Sequence, residues 1–422
     1  MKHRITLSRE GNELRLHVSP WDGGPIEQSL RGLISTVIVE DFTPAAYFYN
    51  LVRQLFAQAE QTDPAQAITL TWPHSDRLCD EVLGQVNTLA SPQRFGRTAN
   101  NYIDLIGRTP LLRLNRLAAD CGAAVLVKLE SMEPGSVKDR PVLSMITQAI
   151  GRGEITAQTE VVEASSGNVA FAMAAVMEVL LGSKPTIFIA KMHGPVKAKA
   201  VRVAGCRVKL TGSGEGSFTA KKASMRYAKN CPGVFEMNQH SNPDNPRAHR
   251  LTTGPELYHQ CQVMTGQPPA EFVTGLGSGG TAFGVAMFRE DIGATFKIIG
   301  VEPAEASLLT GGTFHPHGFS GIAPGFIPPI WEHNMHRLDG IETVTKDEGW
   351  AVCRRMLVEE GALVGPSSGA SICAALRRAR LPENQGKVVV TIAHDRGDRY
   401  LDMPGLFEPP PEATQEDIEG KE

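Results

Sequence analysis

Several large protein classes are excluded by what this sequence lacks. It has no apolar run of about 18 residues, the length a bilayer-spanning helix needs. Met1-Lys2-His3-Arg4 leads into alternating polar residues, without the apolar stretch of a secretion signal. A soluble, cytoplasmic protein that does not engage membranes is therefore expected. A basic surplus is also missing: 42 Lys and Arg stand against 46 Asp and Glu, a formal charge of -4. Such a balance gives no general grip on a phosphate backbone, so nucleic acid is not an expected partner. The seven cysteines (Cys79, Cys121, Cys206, Cys231, Cys261, Cys353 and Cys373) are odd in number and form no CxxC pair. Neither a redox pair nor a metal site is expected from them, and they read as reduced, small apolar residues.

What is present is a chain of 422 residues, 41% of them hydrophobic. It is long enough for more than one structural unit. Residues 1–96 read as a small α/β extension of unassigned role. Ile5–Leu7 and Leu14–Val18 flank Gly11-Asn12 as in a hairpin, and Thr36–Val39 and Ala67–Thr71 read as strands. Helices are expected after Thr43-Pro44 and from Ser75. From 97 to 402, β-branched runs alternate with Ala-rich helical stretches: 124–128, 160–163, 186–190, 207–210, 271–274, 297–301 and 387–392. That alternation predicts βαβ units and mainly parallel sheets, with ligands at the carboxyl ends of the strands. The expected lobes run roughly 110–245 and 246–402. Residues 403–422, with Pro409-Pro410-Pro411 and Glu416-Asp417-Ile418-Glu419, read as an acidic tail too polar to pack.

Four clusters at predicted strand-to-helix junctions could carry chemistry. In Ser136-Val137-Lys138-Asp139-Arg140, a lysine at a helix start can have a lowered amine pKa and attack an aldehyde. The plain alternative is a solvated charge triplet. Ser165-Ser166-Gly167-Asn168 can aim N–H groups and hydroxyls at an anion such as a carboxylate, or simply cap a helix. Gly277-Ser278-Gly279-Gly280-Thr281 allows close approach of backbone to a phosphate. Residues 275–280 also spell G-x-G-x-x-G, with Glu302 about 22 positions on, so an NAD-dependent dehydrogenase competes on this motif. Gly365-Pro366-Ser367-Ser368 opens a helix and, taken alone, signals capping.

In this order the motifs resemble the fold-type II pyridoxal-phosphate enzymes of the cysteine synthase and cystathionine β-synthase family, similar to the tryptophan synthase β fold. The resemblance extends from Ile106-Gly107-Arg108-Thr109-Pro110-Leu111 to Arg399-Tyr400-Leu401. It implies two open parallel-sheet lobes beside the N-terminal α/β unit, and pyridoxal 5′-phosphate as cofactor. Lys138 resembles the Schiff-base lysine. Ser165, Ser166, Gly167 and Asn168 resemble the substrate-carboxylate loop, with Asn168 also on the cofactor ring. Gly277, Ser278, Gly279, Gly280 and Thr281 resemble the phosphate cup, and Ser367 the serine facing the pyridine nitrogen. Gly321–Pro328 resembles a segment at the active-site entrance.

The implied reaction is β-replacement on an O-activated L-serine (O-phosphoserine or O-acetylserine), through an α-aminoacrylate, with a thiol or amine nucleophile. A homodimer is implied as well. Competing readings are a β-eliminating dehydratase and a non-catalytic interaction protein with this fold. Glu133, where the family usually has asparagine, Val169 and Pro141 depart from the family pattern. The combination of S-S-G-N with K-D-R-P resembles the branch containing N-(2-amino-2-carboxyethyl)-L-glutamate synthase. A phosphate leaving group would need a cationic clamp, for which Lys191, Lys197, Lys199, Arg202 and Arg247 are the sequence candidates.

Overall fold

The computed structural model describes residues 2–10, 13–21, 33–40, 68–72, 99–191, 194–212 and 217–407. The first four segments are strands β1 (Lys2–Glu10), β2 (Glu13–Trp21), β3 (Leu33–Glu40) and β4 (Ile68–Trp72), forming a sheet in the order β2-β1-β3-β4. β1 and β2 pair antiparallel with Ile5 opposite Val18 and Glu10 opposite Glu13, the expected hairpin register. β3 and β4 pair parallel. The expected helices after Thr43 and from Ser75, and the tail beyond residue 407, lie outside the described residues.

Two further sheets carry the rest. Strands β5 (Leu111–Arg113), β6 (Ala124–Leu129), β11 (Glu271–Gly275), β12 (Lys297–Pro303), β13 (Gly340–Val344) and β14 (Val388–Ala393) build one of six strands, ordered β13-β12-β11-β14-β6-β5. The other has four: β7 (Glu160–Ala164), β8 (Thr186–Ala190), β9 (Arg207–Thr211) and β10 (Val234–Glu236), ordered β10-β7-β8-β9. Every pairing in these two sheets is parallel except β5 with β6. The chain enters the six-stranded sheet through β5 and β6, leaves to build the four-stranded one, and returns. The two sheets are thus not two successive halves of the sequence.

Most of the apolar runs in the sequence become strands covered on both faces, as parallel sheets require, while the edge strand β9 stays half-exposed. β8, β11 and β14 are buried at every residue. Separate apolar clusters form around each sheet: Val142, Met145, Val161, Met173, Val176 and Ile187 beside the smaller, and Val125, Val127, Val273, Ile299, Val389 and Ile372 beside the larger. Among the described residues no helix is long and apolar enough to cross a membrane.

Candidate active site

Lys138 sits where the connection from β6 turns into the helix Asp139–Gly151. The Asp139 carboxylate accepts from the N–H groups of Gly135 (2.7 Å) and Ser136 (3.2 Å), folding the loop over the helix start. The Val137 N–H donates 2.8 Å to the carbonyl of His394, which ties the loop to the end of β14. Lys138 is therefore held by the ends of two neighbouring strands, which is not how a solvated charge triplet is placed. Burial lowers its pKa, and the charge of Asp395 works in the opposite direction. His394 is pushed down to about 3, first by burial and then by Lys138.

The Ser165–Asn168 turn follows β7. The helix that it opens, Asn168–Leu181, has Gly167 at its N-cap with no side-chain cap, so neither serine serves as a conventional cap. The Ser165 hydroxyl instead accepts from the Gly167 N–H at 3.3 Å. Asn168 is fixed from two sides: its amide nitrogen donates 2.6 Å to Asp395 Oδ2, and its carbonyl oxygen accepts from Arg399. Tyr400 Oη donates to the same Asp395 oxygen at 2.5 Å, and Arg399 also donates to the Gly135 carbonyl at 2.6 Å. Burial raises the Asp395 pKa, against the hydrogen bonds from Tyr400 and Asn168. Asp395, Arg399 and Tyr400 thus join the Lys138 loop to the Asn168 turn. In the sequence they read only as the close of a family pattern.

The glycine-rich loop links β11 to the helix Gly280–Asp291, again with no side-chain cap. A Cβ on Gly277 would lie 2.3 Å from the carbonyl oxygen of Gly321, and Gly279 has φ +90°. Only glycine fits this tight, left-handed path. Asn245 supports the loop by donating to Ser278 Oγ (2.9 Å) and to the Gln239 carbonyl (2.7 Å). Thr281 Oγ1 lies 3.3 Å from His249 Nε2. His249 is held far below the ordinary histidine range by burial and then by the charges of Arg140 and Lys138. Lys138 therefore lies within electrostatic reach of both the Thr281 loop and the Asn168 turn.

Ser367 is buried in the first turn of the helix Pro366–Ala379, whose N-cap Gly365 has no side-chain cap bond. Its neighbours are engaged elsewhere: Ser368 Oγ accepts from the His394 N–H (2.8 Å) and Ser371 Oγ from the Gly275 N–H (2.9 Å). Gly321, whose Cβ position is 4.0 Å from Ser367 Oγ, lies between this hydroxyl and Gly277. Pyridoxal phosphate fits this donor set. A glycine-lined turn at a helix start suits its phosphate, a second polar turn suits a carboxylate, and Lys138 supplies a desolvated amine. The dinucleotide reading loses its acidic residue: the Glu302 carboxylate accepts from the N–H groups of Leu309 and Thr310 (3.0 Å each) and from Thr310 Oγ1 (2.7 Å).

Beneath the Lys138 loop is a buried ionic network. Arg140 pairs with Glu130 (2.6 Å), Glu133 (2.9 Å) and Glu256 (2.7 Å), and Lys128 pairs with Glu256 (2.7 Å). Both carboxylate oxygens of Glu133 accept from the Gly107 N–H, and Glu256 Oε1 accepts from that of Arg108. The departure at Glu133 is thus part of a clamp between the Gly107–Thr109 turn and the helix that follows Lys138. Of the candidates for a phosphate clamp, Lys191, Lys197, Lys199 and Arg202 are exposed and Arg247 is half-buried. The 197–202 stretch is a solvated helix face.

Residues 102–395 match the profile of the family described as "Pyridoxal-phosphate dependent enzyme". The chain is 38% identical over 303 residues to a cysteine synthase of Helicobacter pylori (strain ATCC 700392 / 26695), covering 71% of this chain and 95% of that one. Among solved structures it resembles a cysteine synthase (OASS) from Entamoeba histolytica, with TM-score 0.69 and 33% identity over 77% of this chain and 94% of that one. It also resembles an O-acetylserine dependent cystathionine beta-synthase from Helicobacter pylori, with TM-score 0.67 and 36% identity over 74% and 100% of the two chains.

Proposed function

Because the chain belongs to the pyridoxal-phosphate dependent enzyme family, we propose that it is a cysteine synthase-like transferase that replaces the β-substituent of an O-activated L-serine, O-acetylserine foremost, with a small thiol or amine. The observation that carries this reading is the desolvated Lys138, at a helix start tied to the end of β14 and joined to the Asn168 turn through Asp395 and Arg399. Pyridoxal phosphate, when bound, supplies the electron sink that acidifies the substrate Cα–H and lets the β-substituent leave.

The chain's own residues do the rest. Gly277–Thr281 would hold the phosphate, and Lys138 would anchor the cofactor. Ser165–Asn168 would orient the substrate carboxylate, so that the Cα–H faces the Lys138 amine. A lowered amine pKa leaves that nitrogen ready to take the proton. Ser367 presents a neutral hydroxyl, which does not hold positive charge on a ring nitrogen as a carboxylate would, and this favours expulsion over storing charge in the ring. The Asp395–Arg399 pair fixes Asn168 before any ligand arrives, which cuts the ordering cost of binding. A cytoplasmic homodimer is proposed on the family likeness, and light scattering on the full chain reads its mass.

Holoenzyme incubated with O-acetylserine and a panel of thiols and amines is expected to give β-substituted alanines by mass spectrometry. Borohydride treatment is expected to leave the cofactor mass on the peptide containing Lys138, and Lys138→Ala to abolish it. Pyruvate as the sole product, or label on another lysine, overturns the assignment.

A further inference from the structure

Lys221 is a lysine that the chemistry above does not use. It lies on the helix Ser217–Asn230, which packs on β7 and β8 of the smaller sheet, and is only 7% exposed. Two carboxylates, Glu163 and Glu236, act on it, but neither lies within ion-pair distance. Glu163 accepts from the N–H groups of Ala164 and Gln239 (3.0 Å each), and Glu236 accepts from Ser224 Oγ at 2.8 Å. Among the described residues the Lys221 ammonium has no ion-pair partner or hydrogen-bond acceptor. What it does contact is the ring of Phe326, 4.9 Å below it. Phe326 belongs to the Gly321–Pro328 segment that borders the glycine-rich loop, and packs against Phe218 (5.1 Å) and edge-on to His240 (5.0 Å). His240 is pushed down to about 3 by burial and then by two charges, those of Lys221 and Lys138. It thus stands within reach of both lysines as a neutral ring.

A buried ammonium with no acceptor in contact is costly to keep, the two carboxylates acting on it only at longer range, so its position implies a ligand anion. The aromatic floor of Phe218 and Phe326 suits the apolar stem that would carry this anion. We propose that Lys221 is a specificity-determining residue that binds a carboxylate or phosphate on the substrate side chain, in the space through which the leaving group departs and the nucleophile enters. The proposal rests on the β-replacement reading for the identity of the ligand, but not for the existence of the anion site.

Calorimetric titration of the holoenzyme with succinate and with inorganic phosphate tests the site independently of turnover. Lys221→Met is expected to weaken at least one of the two ten-fold or more, while Lys221→Arg stays within three-fold of the wild type. Two kinetic arms then identify the source of the anion. If it belongs to the nucleophile, Lys221→Met lowers the preference for 3-mercaptopropionate over 2-mercaptoethanol ten-fold. If it belongs to the leaving group, the O-phosphoserine to O-acetylserine ratio falls instead. Unchanged affinities and unchanged ratios in a Lys221→Met variant with wild-type circular dichroism overturn the proposal. Failure to convert any activated serine counts against the β-replacement reading, while the calorimetry decides the anion site on its own.

Discussion

Glu256 provides a severe test of the network under the Lys138 loop. Its carboxylate is the shared counter-ion of two buried cations: Arg140 Nη1 at 2.7 Å and Lys128 Nζ at 2.7 Å, with side chains 1% and 0% exposed. Burial works against ionisation of Glu256, but Arg140 and Lys128 outweigh it and hold its carboxyl well below the usual range. Glu256→Gln keeps the shape, removes the charge, and leaves Lys128 with uncharged acceptors only, the Thr109 carbonyl (2.6 Å) and Gln260 (2.9 Å) in addition to the new amide. Removing one partner of a buried pair costs roughly 3–5 kcal/mol. At about 2–4 °C per kcal/mol, the thermal midpoint should fall by roughly 6–20 °C. The assay is thermal unfolding of the apo and holo protein by circular dichroism, with Lys128→Met and the double variant completing a cycle. Lys128→Met should cost at least about 1 kcal/mol less in the Glu256→Gln background than in the wild type, since contacting charges couple by roughly 0.5–3 kcal/mol. A midpoint within 2 °C of wild type, or costs additive within about 0.5 kcal/mol, refutes the argument.

Two further outcomes follow from the site. Burial, aided by Glu130 and opposed by Arg140, pushes Glu133 up to about 8 from an ordinary 4.5. A group raised in the folded state contributes stability that is complete below its unfolded value and is lost as pH climbs through the folded one. Wild-type stability should therefore decline from about pH 5 to 8 more steeply than that of Glu133→Gln, and parallel profiles would contradict this. In Gly277→Ala, the new Cβ meets a backbone oxygen at 2.3 Å that cannot rotate away. Cofactor affinity, read by absorbance titration of the apoprotein, should fall ten-fold or more with the secondary structure intact, and an unchanged affinity counts against the cradle.

Much of the catalytic fold was legible in the sequence, because most strands buried on both faces leave a continuous apolar run, and the half-exposed β9 shows through its Val208 and Leu210. The seven runs expected between 124 and 392 became β6, β7, β8, β9, β11, β12 and β14, with ends shifted by a residue or two. β5, β10 and β13 were not seen. Two have only three residues, and the third is mostly half-buried, so none leaves a period to detect. Likewise, the glycine and serine clusters after strands mark strand-to-helix turns, because backbone freedom and helix starts are local properties.

The chain by itself determined the family, the alternation of strand and helix, and the four polar loops with Lys138 in one of them, all written within a few neighbouring residues. Only the tertiary structure decided what depends on distant pairs. Arg140 meets Glu256 across 116 positions, and Asn168 meets Asp395 across 227. Glu302, in register for a ribose, turned out to close its own loop. Lys221 carried no sequence signal at all. A lysine on a helix reads as solvated until packing buries it beside carboxylates that already have other partners.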